Sequence, residues 1–65
     1  MAYNKDQWIS SFEDQMTILR PHLTSRLLAT MSLAAWHSRG RQGEDPIKAA
    51  QAESQALDRA RGKNN

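Results

Sequence analysis

The residues of this chain best suited to chemistry are His22 and His37, six arginines and two tryptophans, and their spacing points to binding before catalysis. The two imidazoles stand fifteen positions apart with no Asp or Glu between them. That leaves neither a metal-ligand spacing nor a histidine oriented by a carboxylate, and the absence of Cys removes thiolate sites and disulfides alike. No Ser/His/Asp set or paired buried carboxylates can be assembled, so an enzyme is not expected and no catalytic residue, cofactor or metal is assigned. Arg39-Gly40-Arg41-Gln42-Gly43 has the glycines of a phosphate loop. It lacks the preceding strand and the Gly-Lys-Ser/Thr ending, so a nucleotide site is set aside.

Charge is more informative. From Gln15 to Gly43 there is no Asp or Glu, while Arg20, Arg26, Arg39, Arg41 and both histidines fall in that stretch. Consecutive antiparallel helices would bring Arg20, His22, Arg26, Arg59, Arg61 and Lys63 to one pole, suited to phosphates or to an acidic protein surface. The competing reading is local: Arg20, Arg59 and Arg61 sit in last turns of helices, where cations complement the helix dipole. Arg20, Arg26, Arg59 and Arg61 are taken as the candidate partner-binding set, with a function separable from folding.

Trp36, flanked by Ser25, Ser32 and His37, has two readings: a core filler between the second and third helices, or an interface anchor of the kind Trp often supplies. The strip Ala29, Leu33 and Trp36, at i, i+4 and i+7, is taken as a candidate interface. His37 beside it is read as an ordinary surface imidazole.

Helices must position these groups. Asn4 is the expected N-cap of the first, with Gln7 three residues on reaching back and Tyr3 and Trp8 as a hydrophobic staple. Trp8, Ile9, Phe12, Met16 and Leu19 fall within an arc of roughly 100°, one buried face. Pro21 forces Arg20 out of the helical region and is expected to begin the second helix. That helix carries two apolar strips, a broad one of Leu23, Leu27, Met31 and Ala34 with Leu28 and Ala35, and the Trp36 strip, which predicts a central position. Gly40 is expected at the C′ position, and Asp45-Pro46 gives the third helix a carboxylate cap and a proline first residue. The third helix pairs an alanine ridge, Ala49, Ala52, Ala56 and Ala60, with a thin strip of Ile47, Ala50, Ser54 and Leu57.

The fold expected is all-α, one small domain over 1–65 with helices at about 5–19, 21–39 and 46–61 and a frayed tail at 62–65. A chain of this length hides only about 60% of its unfolded surface. With few large side chains on the third helix, burial of the Trp36 strip in a homodimeric helical bundle is preferred to a closed monomer. No signal peptide or membrane span is read, so a cytoplasmic protein is expected.

In size and helix count the chain resembles helix-turn-helix proteins and small RNA-binding hairpin dimers, which makes a nucleic-acid regulator the alternative function. The small net charge of +2 and a third helix showing Ala and Gln, where a reading helix needs Arg, Asn or Lys, weigh against it. The preferred reading is a protein-binding accessory module acting on a larger partner without catalysis, in the manner of small phage or plasmid regulators.

Overall fold

A computed structural model describes the backbone of residues 3–62 and the side chains of residues 3–60. Of the tail expected at 62–65, Gly62 is instead the last residue of the third helix, and residues 63–65 and the side chain of Arg61 lie outside the described residues. The chain is all-helical: α1 (Lys5–Leu19), α2 (Ser25–Ser38), a one-turn 3₁₀ segment at Gly40–Gln42, and α3 (Pro46–Gly62).

The helix starts have local causes. The Asn4 side chain accepts from the backbone N–H of Asp6 and of Gln7, at 2.9 and 3.2 Å. The carboxylate of Asp45 accepts from the N–H of Lys48 at 3.0 Å, as expected of an N-cap. Arg20 leaves the helical region ahead of Pro21, at φ −137° and ψ 73°. The second helix does not begin at Pro21, however. Pro21 and His22 form a turn closed by the N–H of Leu23 on the carbonyl of Arg20, and Thr24, extended at ψ 157°, accepts from the N–H of Leu27. A hydroxyl cap thus moves the start to Ser25, because Thr24 satisfies an otherwise orphaned amide that Pro21 has no side-chain oxygen to meet.

The middle position belongs to α1, not to α2 as the two-strip pattern predicts. α1 packs against both other helices, while α2 and α3 have little direct contact. The reason is a match of sizes. Trp8, Phe12 and Met16 on α1 are fully buried large side chains, and they meet small ones on either side, Ser32 and Ala35 on α2 and Ala49, Ala50 and Ser54 on α3. Small facing residues let two helices approach closely and receive bulky knobs from the third. The alanine ridge of α3 is only partly used, with Ala49 buried but Ala56 and Ala60 exposed. Contact runs instead through Pro46, Ala49, Ala50 and Ser54 to a half-buried Leu57.

Residue pairing fixes the directions. Ser32 lies 2.8 Å from the carboxylate of Glu13 and Trp36 packs on Trp8, so α2 runs antiparallel to α1. The indole N–H of Trp8 donates to the carbonyl of Glu44 at 2.7 Å, and Arg20 reaches Ser54, so α3 runs parallel to α1. The end of α1, the start of α2 and the last turns of α3 therefore share one pole.

At the opposite pole the α2–α3 connection is tied down by Arg39. Its guanidinium donates to Glu53 at 3.0 Å and to both oxygens of Glu44, at 3.0 and 3.2 Å. Donation to Glu44 raises the guanidinium above its usual pKa, partial loss of water opposes the rise, and Glu53 adds to it. Gly40 is not a left-handed C′ residue. Gly43 takes the positive φ, at 91°, while buried Gly40 lies where a Cβ would collide with the rings of Trp36 and Trp8. Glycine is required there because two indoles close over the backbone.

Candidate interaction surfaces

Two surfaces gather the residues picked out by sequence. The first is the outer side of α2. The contact stripe of this helix is Leu28, Ser32 and Ala35; at 100° per residue, Leu27, Met31 and Ala34 fall on one side of it and Ala29, Leu33 and Trp36 on the other. Leu33 is 45% exposed and Leu27 46%, and Ala29 and Ala34 are exposed as well. Trp36 is a different case. It is half-buried, with its ring 5.7 Å from that of Trp8 at an interplanar angle of 63°, so it fills the angle between α2, α1 and the 3₁₀ turn. The expected position between α2 and α3 is not observed, since α3 packs on α1 and leaves that side of α2 uncovered. Ser32, named only as a neighbour of Trp36, is a buried contact whose hydroxyl sits between the carboxylate of Glu13 and the carbonyl of Ala29.

The second surface is the pole where α1 ends. Arg20 is committed to the fold: Nε donates to the hydroxyl of Ser54 at 3.0 Å, and Nη2 donates to the Ser54 carbonyl at 2.8 Å and to the Asp58 carboxylate. Arg26, on the first turn of α2, and Arg59, on the solvent side of α3, are exposed, and neither side chain forms an ion pair among the described residues. The four-arginine set thus divides into one structural member, two free ones and Arg61, whose side chain lies outside the described residues. The expectation that the set can be separated from folding does not hold for Arg20. Its loss removes the only bonds that tie the end of α1 to the buried Ser54, through its hydroxyl and as a second bond on its carbonyl, so Arg20→Gln is expected to lower stability by about 1–2 kcal/mol, discounted because Asp58 is largely exposed. Arg26→Gln and Arg59→Gln are expected to leave the melting curve in place. Thermal circular dichroism checks this, and equal melting of all three variants would remove the structural role of Arg20.

At the same pole lies an apolar groove of about 450 Å³, lined by Leu19, Pro21, Leu23, Leu57 and Ala60 with Arg20 and His22 at its edge. Sequence reasoning used Leu19, Leu23 and Leu57 as core positions and did not see the groove. The alternation of Leu19-Arg20-Pro21-His22-Leu23 marks the corner as mixed apolar and basic, but only the close approach of α3 supplies the second wall. Ile18, just before it, is 73% exposed.

Among the described residues no group of three or more His, Asp or Glu is placed to hold a metal ion, and no helix is long and apolar enough to cross a membrane. Comparison with protein-family models, with curated proteins and with solved structures finds no match to this chain.

Proposed function

We propose that this chain is a small accessory protein of the cytoplasm that acts by binding another protein through its helical surface, without catalysis of its own. The observation that carries this reading is where the large aliphatic side chains go. The interior is closed by Trp8, Phe12 and Met16 against small residues, which leaves Leu27 and Leu33 about half exposed on the outer side of α2 and Ile18 mostly exposed on α1. Single exposed apolar residues are ordinary, but here Leu27 and Leu33 border the contact stripe of α2 on its two sides, in a chain with little core to spare. Exposed apolar strips of this kind are where helical proteins meet partners.

The strip Ala29 and Leu33, with Trp36 at its edge, is proposed as the seam of a homodimer, and the basic pole as the contact with a larger partner. Light scattering at micromolar concentration is expected to give twice the chain mass of 7.4 kDa. Leu33→Asp is expected to halve that value while helicity is retained, because a carboxylate in an apolar seam is left unpaired. A mass of one chain across a hundredfold dilution series overturns the dimer. Capture from the native cell then tests the module itself: binding of the larger partner is expected to survive Leu33→Asp and to be lost on charge reversal at Arg26 and Arg59.

A further inference from the structure

α3 is held to the rest of the molecule along only part of its length. Over residues 46–54, Pro46, Ala49, Ala50 and Ser54 are buried, and Glu53 is paired with Arg39 of the α2–α3 connection. Beyond Ser54, half-buried Leu57 is the one side chain among the described residues that is not exposed. Register explains the change. Pro46 shares a hollow with Gln7 and Ser11, and parallel helices rise alike at about 1.5 Å per residue, so α1 ends near the level of Leu57 and the last turn of α3 runs past it. The α1–α2 corner lies beyond, but α3 does not close on it. The groove stands between Leu57 and Ala60 on one wall and Leu19, Pro21 and Leu23 on the other, so the contacts that would fasten this end of α3 are not made. Arg20 sits at the junction: its Nη2 donates to the Ser54 carbonyl at 2.8 Å and to the Asp58 carboxylate, gripping the turn where the anchored part of α3 passes to the loose part.

We propose that residues 55–62 form a strap that opens and recloses as a unit while the rest of the chain stays folded, with Ser54 as its hinge and the Arg20–Asp58 ion pair as its latch. Opening gives up one half-buried Leu and one largely exposed ion pair, whereas unfolding of the whole chain gives up Trp8, Phe12 and Met16. Segments with so few buried apolar contacts open at far lower free energy than the core they adjoin. Lifting the strap takes Leu57 and Ala60 away from the corner, so the same motion widens the groove and uncovers Leu19 and Leu23.

Native-state hydrogen exchange of the full chain, read amide by amide by NMR, tests the strap. The amides of Leu57, Asp58 and Arg59 are expected to share one protection factor, about tenfold or more below that of Ala50, Glu53 and Ser54, which match Phe12 and Met16 in the core. Asp58→Asn removes the latch and leaves Arg20 on Ser54, so it is expected to lower protection at residues 57–59 by about threefold, with residues 50–54 and the melting curve unchanged. Ala56→Gly, at an exposed position, weakens the helix within the strap alone and is expected to lower protection there by about fivefold. Protection at residues 57–59 equal to that at 50–54 overturns the proposal, as does an equal loss throughout α3 in either variant, since α3 then opens only with the whole chain. Protection that declines residue by residue toward Gly62 is ordinary fraying and overturns the unit. An Asp58→Asn variant that leaves residues 57–59 as protected as before overturns the latch.

Discussion

Gly40→Ala is expected to unfold this protein at room temperature. An added Cβ would overlap the six-membered ring of Trp36 and come within 2.9 Å of Trp8 Cδ2, and the ring atoms it meets are not the free ends of flexible chains. Trp8 is fully buried and packs on Phe12 with ring centroids 5.4 Å apart, so it has nowhere to retreat, and Trp36 can move only by giving up its edge contact with Trp8. Overpacking of this kind costs about 1–3 kcal/mol and occasionally more. Against the marginal stability of a 65-residue chain with no disulfide, that is enough to populate the unfolded state heavily. Loss of the helical circular dichroism and a red shift of tryptophan emission are the readouts. Gly43→Ala serves as the control, since φ there is 91° but nothing lies within 4 Å of the new Cβ, and its cost is expected to be near 1 kcal/mol. Should Gly40→Ala melt no earlier than Gly43→Ala, the two indoles do not close over Gly40 in solution.

Removal of Trp8 is expected to have the largest effect of any side-chain truncation. Trp8 is fully buried, stacks on Phe12, receives the edge of Trp36, and donates its indole N–H to the carbonyl of Glu44 at 2.7 Å. It thereby joins α1, α2, the 3₁₀ turn and the start of α3. Trp8→Ala is expected to cost about 3–5 kcal/mol through lost burial and a cavity that the helices cannot fully close. Trp8→Phe keeps much of the ring volume but leaves the Glu44 carbonyl without its donor, for which about 1–3 kcal/mol is expected. Urea denaturation followed at 222 nm separates the two. If Trp8→Phe unfolds at the same urea concentration as the parent chain, the indole N–H bond contributes nothing net and the role of Trp8 is packing alone. If Trp8→Ala is as stable as the parent chain, Trp8 is not the centre of the core.

The two candidate surfaces differ in how far local spacing decides them. Ala29 and Leu33 follow from helical spacing and lie exposed on one side of the α2 contact stripe. Trp36 shares their face on a helical wheel yet turns inward, because a bulky ring on the border of the contact stripe gains more from Trp8 than from water. Arg20, Arg26 and Arg59 look alike in sequence as basic residues in the end turns of helices. Only Arg20 lies within reach of a buried serine from another helix, and that neighbour stands thirty-four positions away.

What the amino-acid sequence determined by itself was the set of helices and most of their ends, because those depend on groups within four residues of one another: Asn4 with the next amides, Pro21 with Arg20, Asp45 and Pro46 with the turn that follows. It also determined the centre of the buried face of α1, Trp8, Phe12 and Met16, since a single broad apolar arc has one way to face, although Ile9 is only partly buried and Leu19, at the helix end beside the corner, is 37% exposed. Tertiary structure alone decided which helix stands in the middle, what Gly40 is for, that Arg20 belongs to the fold, and that the corner beside it is a groove. Each of these turns on whether a large group meets a small one, or a donor meets an acceptor, across helices far apart in the chain. α2 offers two apolar strips and α1 only one arc, yet α1 carries the bulk of Trp8, Phe12 and Met16, while the faces of α2 and α3 are small enough to receive it. Close packing rewards that complementarity of volume over the count of apolar positions, and it exists only once the helices have come together.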